Sequence, residues 1–317
     1  MLWGEESRNV AASSIMSYGG LVDAATSAVN VVPRKGLNMT RVVVGAERFG
    51  NVLCDLNGVL DRGTEAIPGA GDALRRLDEA GFSIVFVTNN STGTCADVAE
   101  TIARLNGYPA SPDQVITSAV AAAALLAPDR PASMVVGGEG ILSALSEREI
   151  SIVVDPSVAE AVVVGLDVDF TYQSLDMAAS AIRKGARFIA TNTDVTFPGP
   201  GDLHAGAGAI VAAIAAASGR TPTVAGKPHS AIRALVKQRL VPGPVWVVGD
   251  RPETDLAMAK AENWNAALVL TGVVSDPGEV PSGLEPDLVN ASLSEFADVL
   301  TSDWLSGERR SDPGGPV

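Results

Sequence analysis

The stretch Val52-Leu53-Cys54-Asp55-Leu56-Asn57-Gly58-Val59-Leu60 limits what this chain can become more than any other. An uninterrupted apolar run meets an acid, then an amide two places on, then a glycine. Such a run reads as a strand buried on both faces, the environment of a parallel sheet. An acid at its end stands at the carboxyl edge of that sheet, where open α/β sheets bind their ligands. Asp55 is therefore the first candidate for chemistry. Standing alone, an aspartate here reads by default as a cap on the following turn.

From residue 52 the pattern alternates. A strand over 52–54 is followed by a helix over 68–80, carrying Leu74 and Leu77 on its apolar face, and Gly81 stands where a helix-ending glycine belongs. A second buried strand, 83–87, ends in Thr88-Asn89-Asn90-Ser91, and a helix is predicted over 94–106. Strand-helix-strand-helix predicts a parallel sheet wound with right-handed crossovers. Between residues 125 and 221 the alternation continues with its own elements: strands at 133–136, 151–154, 161–165 and 187–190, helices at 138–146, 172–184 and 207–218. No internal period marks a repeat array. The last third returns to the first pattern. Gly226-Lys227-Pro228-His229 precedes a helix to 239, with Pro228 suited to its first turn. A third buried strand, 245–248, runs into Gly249-Asp250-Arg251-Pro252-Glu253-Thr254-Asp255; a helix to Glu262 and a strand over 266–270 follow.

This reading divides the chain into an N-terminal extension (1–45), a core in two pieces (46–124 and 222–302), an inserted α/β unit (125–221) and a disordered polar tail (303–317). Within the extension, 19–31 reads as a weak helix, 33–36 as a linker and Met39 as an alternative start. The extension lacks the basic start and compact apolar centre of a signal peptide. With no apolar run near about 18 residues, a cytoplasmic protein without a membrane span is expected. A formal net charge of −14 argues against a nucleic-acid surface, which needs clustered Lys and Arg. Two cysteines, Cys54 and Cys95, make neither a disulfide framework nor a metal cluster.

Three predicted strands thus end in polar clusters: Asp55/Asn57, Thr88/Asn89/Asn90 and Asp250/Asp255. In one parallel sheet they share an edge, and Lys227 can join them, although a lone lysine is more often a solvated surface residue. Carboxylates, hydroxyl and amide groups and one lysine suit a divalent cation and a phosphate together. A cation between Asp55 and Asp250 relieves their repulsion. An aspartate can then attack phosphorus, with Lys227, Thr88 and Asn89 stabilising the phosphoryl oxygens. No strand-linked Gly-x-Gly-x-x-Gly supports the competing reading, a dinucleotide-binding oxidoreductase.

Asp55-Leu56-Asn57-Gly58-Val59-Leu60, Thr88-Asn89-Asn90-Ser91, Gly226-Lys227-Pro228 and Gly249-Asp250-Arg251-Pro252-Glu253-Thr254-Asp255 resemble, in order, the four motifs of the haloacid dehalogenase superfamily. Ala190-Thr191-Asn192-Thr193-Asp194 with Pro198, Gly206 and Gly208 resembles the cap signature of subclass IIA, the NagD-like and p-nitrophenyl phosphatase branch; by residue type alone that loop is equally turn chemistry. The resemblance spans 47–300. It implies a Rossmann-like core with a large inserted α/β cap, and Mg²⁺-dependent hydrolysis of a small phosphorylated metabolite. By position, Asp55 is the nucleophile, Thr88 and Lys227 hold phosphate, and Asn89 orients the nucleophile. Asp55, Asp250 and the Asn57 carbonyl hold the metal, which Asp255 supports. The resemblance also implies a homodimer through the cap. Substrate contacts are expected around Asn192, Asp194 and His204. Glycerol phosphate, phosphoglycolate, a nucleotide or pyridoxal phosphate each fit it.

Asn57 departs from that pattern. The family has a second aspartate there, which protonates the leaving alkoxide and later deprotonates water; an amide cannot exchange a proton in this way. General acid-base help is worth ~10²–10⁴ in rate. Three readings follow: a phosphatase that is slow or restricted to activated phosphates, a phosphometabolite-binding or regulatory protein without catalysis, or an enzyme in which another residue supplies the proton. His229 and Glu253 are the local candidates for that last role.

Overall fold

The computed structural model describes residues 49–198 and 203–305; the expectations for the extension lie outside them. In chain order, β1 (Gly50–Cys54) leads into a small hairpin of β2 (Asp61–Arg62) and β3 (Glu65–Ala66), then α1 (Ala70–Glu79), β4 (Phe82–Thr88), α2 (Cys95–Asn106), β5 (Val115–Thr117) and α3 (Ser118–Leu126). There follow β6 (Ser133–Val136), α4 (Glu139–Ser146), β7 (Ala161–Val164), α5 (Tyr172–Arg183), β8 (Arg187–Ala190), a hairpin of β9 (Thr196–Pro198) and β10 (Leu203–Ala205), α6 (Ala207–Ser218) and β11 (Thr223–Val224). The chain ends its described part with α7 (Ser230–Lys237), β12 (Val245–Gly249), α8 (Ala257–Ala261), β13 (Asn265–Val269), β14 (Leu288–Asn290) and α9 (Leu293–Leu305).

Two parallel sheets organise these elements. The six-stranded one runs β14-β13-β12-β1-β4-β5, and the four-stranded one runs β11-β8-β7-β6. β1 lies inside the larger sheet and is buried along its whole length, as an uninterrupted apolar run requires. Helices α1, α2 and α9 cover one face, and Leu74, Leu77, Ile102 and Phe296 fill that layer. Leu53, Val85 and Val247 of the larger sheet share the next layer with Val163 and Ile189 of the smaller one, through α3 and α4. Alternate residues of β7, Val162 and Val164, face α5 and α6 instead. Capping follows chemistry visible in the chain: Thr94 and Asp97 form a reciprocal capping box on α2, and Gly81 leaves α1 with φ near +91°.

Several expectations are corrected. Residues 151–154 make no strand; Ile152 forms an isolated bridge with Ser133 beside edge strand β6, and Val154 is 80% exposed. A valine-rich run with no sheet partner on its outer side buries too little to form a strand. Pro228 lies ahead of α7, whose N-cap is His229, rather than in its first turn. The second sheet takes its last strand from Thr223–Val224, past residue 221, and α3 straddles residue 125. Helix α9 runs to Leu305, into the start of the predicted tail, the rest of which (306–317) lies outside the described residues. No helix among the described residues is long and apolar enough to cross a membrane.

Candidate active site

Both sheets turn their carboxyl ends toward one cavity of about 560 Å³. Asp55 after β1, Thr88 at the end of β4 and Asp250 after β12 line it from the larger sheet. Gly137 after β6, the loop 166–169 after β7 and Asn192 and Asp194 after β8 line it from the smaller. At the floor, Lys227 Nζ donates to Asp55 Oδ1 and Asp255 Oδ1, each at 2.7 Å. All three side chains are buried, with residue exposures of 4%, 9% and 1% for Lys227, Asp55 and Asp255. Lys227 is thus no solvated surface lysine. Asp250 Oδ2 accepts from the Val273 N–H at 2.7 Å, while its Oδ1 is buried without a partner among the described residues. Gly272 permits this: a Cβ there would stand 1.9 Å from Asp250 Oδ2.

The charges explain what the floor can hold. Burial pushes Asp55 up to about 8 despite the opposing Lys227, with Asp255 and Asp250 adding to the rise. Asp250 rises to about 6, through burial and then Asp255. Burial works against the Lys227 ammonium, but Asp255 and Asp55 outweigh it and hold its pKa above the ordinary lysine value. Asp55, Asp250 and Asp255 each offer an oxygen within 4.8 Å of the others. Three buried carboxylates against one ammonium, one oxygen unpartnered, form an oxygen-only donor set that fits a hard dication. The ring ends on Pro252–Leu256, a single π turn in which the Ala257 N–H reaches back to Pro252 O; such turns concentrate at functional sites.

Comparison with known proteins accords with this geometry. Residues 52–151 match the family model described as haloacid dehalogenase-like hydrolase, and residues 224–296 match a second hydrolase model of the same kind. The acid sugar phosphatase of Staphylococcus haemolyticus is 34% identical over 259 residues, covering 79% of this chain and 97% of the relative. The chain belongs to the haloacid dehalogenase-like hydrolases, subclass IIA. The p-nitrophenyl phosphatase from Archaeoglobus fulgidus superposes with a TM-score of 0.73 at 30% identity, over 80% of this chain and 99% of that one. The glycerol phosphate phosphatase from Mycobacterium tuberculosis, solved with calcium, superposes with a TM-score of 0.71 at 33% identity, over 78% of this chain and 74% of that one. Within the family this chain is a phosphatase-type hydrolase.

The structure of this hydrolase separates the residues singled out in the sequence. Thr88 is buried and lines the cavity, its Oγ1 accepting from the Asn90 N–H at 3.0 Å. Asn89 bonds to Lys227 and Asp194 rather than to Asp55: its Oδ1 accepts from the Lys227 N–H at 2.7 Å, and its Nδ2 donates to Asp194 Oδ2 at 3.2 Å. Asn57 lines the cavity, but its Nδ2 donates to Asp61 Oδ1 at 2.9 Å. Asn192 braces the floor by donating to the Asn89 carbonyl at 2.7 Å. His204 does not line the cavity. It is exposed, paired across the β9–β10 hairpin with Phe197, and stacks on that ring at 5.6 Å between centroids; Phe197 is the wall residue. His229 and Glu253 are exposed and line no part of it.

Three features were missed in the sequence. Asp61 is buried, and burial lifts it to about 6 against the opposing hydrogen bond from Asn57. Arg251 ties the strand-end loop to the hairpin through Nη2 and Thr196 O at 3.3 Å. The third is the Leu166-Asp167-Val168-Asp169 wall. An apolar run ending in Gly-Leu-Asp carries the same strand-end signal as Asp55, and applying that rule to the second sheet would have found it.

Proposed function

We propose that this hydrolase cleaves small phosphomonoesters through a phosphorylated Asp55, with Mg²⁺ as the cation. The observation that carries this reading is the buried Asp55–Lys227–Asp255 contact at the floor of a cavity sized for a phosphate and a short organic group. An Asp55 oxygen attacks phosphorus as the bond to the leaving oxygen breaks. Lys227 and Thr88 hold the phosphoryl oxygens as charge builds on them. Water then attacks the phosphorus of the acyl phosphate, returning the Asp55 carboxylate and releasing phosphate. Asp55, Asp250 and the Asn57 carbonyl would hold Mg²⁺, which supplies charge neutralisation beside the phosphoryl group. Because Asn57 cannot pass a proton, leaving groups that depart as anions are the favoured substrates. The acid sugar and glycerol phosphate phosphatases among the relatives support a polyol-sized leaving group.

The test is phosphate release from p-nitrophenyl phosphate and from glycerol 3-phosphate by purified protein. Release that needs Mg²⁺, stops with chelator and is lost in Asp55→Asn is the expected result, with the aryl ester the faster substrate. Equal release by the Asp55→Asn variant would overturn the assignment of the nucleophile. The observation at Asn57 favours a second reading, a phosphometabolite-binding protein, and binding of phosphate without any turnover would decide for it.

A further inference from the structure

We infer that Asp194, on the loop after β8, is a positioning residue that fixes Lys227 through Asn89; its kinetic consequences rest on the phosphatase reading above. An Asn side chain has two N–H donors and one carbonyl acceptor, and Asn89 uses two of the three on one neighbour, Lys227. Its Oδ1 accepts from the Lys227 N–H at 2.7 Å, and its Nδ2 donates to the Lys227 carbonyl at 3.3 Å. The amide therefore grips both backbone polar groups of the residue whose ammonium meets Asp55. The other Nδ2 hydrogen serves the Asp194 carboxylate, at 3.2 Å from Oδ2. A charged acceptor makes this the stronger kind of hydrogen bond, and it fixes which way the amide faces.

The surroundings leave the clamp little freedom. The Asn89 carbonyl accepts from Ser118 Oγ at 2.6 Å and Asn192 Nδ2 at 2.7 Å. A Cβ on Gly226 would come within 2.4 Å of Asn89 Oδ1 and 2.6 Å of the Thr191 carbonyl, so a glycine lets the two strands close around the amide. Lys227 itself arrives directly from the smaller sheet. The bonds Ala225 N–H to Ala190 O and Gly226 N–H to Thr191 O, at 2.9 and 2.7 Å, extend the β11–β8 pairing up to the residue before it. The lysine is thus held by the smaller sheet on its N-terminal side and at its own peptide groups by Asn89, whose amide Asp194 anchors in turn. Its long flexible stem reaches Asp55 and Asp255 together only from a fixed backbone.

The inference is tested with Asp194→Ala, Asp194→Asn, Asn89→Ala and the Asp194→Ala/Asn89→Ala pair. Three readouts apply: calorimetric binding of inorganic phosphate in Mg²⁺, hydrogen exchange of the Lys227 amide, and kcat and KM on p-nitrophenyl phosphate and glycerol 3-phosphate. Asp194→Ala should weaken phosphate binding about tenfold, the loss of one charge-assisted hydrogen bond. It should also speed Lys227 exchange and lower kcat/KM by the same factor for both esters. Asp194→Asn keeps an acceptor oxygen and should recover most of each loss. Once Asn89 is alanine, removing Asp194 as well should change phosphate binding by less than about twofold, since coupled neighbours are not additive. Unchanged phosphate binding and Lys227 exchange in Asp194→Ala would overturn the inference. So would a loss confined to one ester, which would make Asp194 a contact to the leaving group. A wild-type protein that turns over neither ester would end the phosphatase reading alone, because the exchange readout does not depend on catalysis.

Discussion

The two walls of the cavity are built on opposite principles. On the side of the larger sheet the working groups are charged, buried and bonded to one another: Lys227 joins Asp55 and Asp255, and Asp250 receives the Val273 N–H. On the opposite side, the loop after β7 and the β9–β10 hairpin present side chains that stand in the open, with Val168 at 85% and Phe197 at 36% exposure. Charges in a low-dielectric floor act strongly and tolerate little displacement. Exposed apolar side chains on loops contribute contact area and give way easily. In the proposed mechanism the floor carries the chemistry and the opposite wall the selection, and the Asn89–Asp194 hydrogen bond joins the two.

The largest expected effect lies where the floor departs from its family. Asn57 donates to Asp61 at 2.9 Å, an amide matched to a buried carboxylate. Asn57→Asp alone would set two carboxylates against each other and drive one of them to stay protonated. Asn57→Asp with Asp61→Asn keeps one amide and one carboxylate in contact. The double variant should hydrolyse glycerol 3-phosphate faster by about 10²–10⁴, the single variant should gain less, and p-nitrophenyl phosphate should gain least because its phenolate leaves without a proton. Steady-state rates for the three proteins on both esters check this. If the double variant matches the wild type on glycerol 3-phosphate, proton transfer to the leaving group is not what limits the floor.

A smaller effect separates the walls through stability. Asp55 at about 8 and Asp250 at about 6 both stand above the ordinary 3.8, because burial disfavours their charged forms. Across that window the folded, metal-free protein holds more protons than the unfolded chain, so their stabilising contribution is present at acid pH and falls as pH rises. Thermal denaturation in chelator should show Tm declining from about pH 5 to about pH 8. In the proposed mechanism Mg²⁺ would bind the ionised carboxylates, so it should raise Tm more at the alkaline end, by roughly 5–10 °C when well above its Kd. A Tm that rises with pH in chelator would mean that these carboxylates ionise freely in the folded protein.

The same contrast decides what could be read in advance. Three largely apolar strands run into Asp55, Thr88 and Asp250, and local pattern is enough to bring them to one edge. The role of Asn89 was not legible, since its partners Asp194 and Lys227 lie 105 and 138 residues away in sequence. His204 was expected among the substrate contacts, yet it pairs across the hairpin with Phe197, and Phe197 is the residue that lines the cavity. Strands β5 and β14 are too short for periodicity to register, and 151–154 looked like a strand because composition cannot show that its outer side is open.

The smallest effects belong to the exposed wall. Val168→Ser removes apolar contact area from a side chain that packs on little of the protein, and Phe197→Ala removes the wall ring together with its stack on His204. Stability after Val168→Ser should stay within about ±0.5 kcal/mol. The ratio of kcat/KM for p-nitrophenyl phosphate to that for glycerol 3-phosphate should fall by about 3- to 10-fold, because the aryl group gains more than a polyol from apolar contact. Inorganic phosphate, which has no leaving group, should bind both variants as it binds the wild type. A change in phosphate affinity would carry the effect down to Lys227 and dissolve the division between the walls. A change in Tm with a constant substrate ratio would instead make these side chains supports of the hairpin and loop, and move selection to the polar residues beside them.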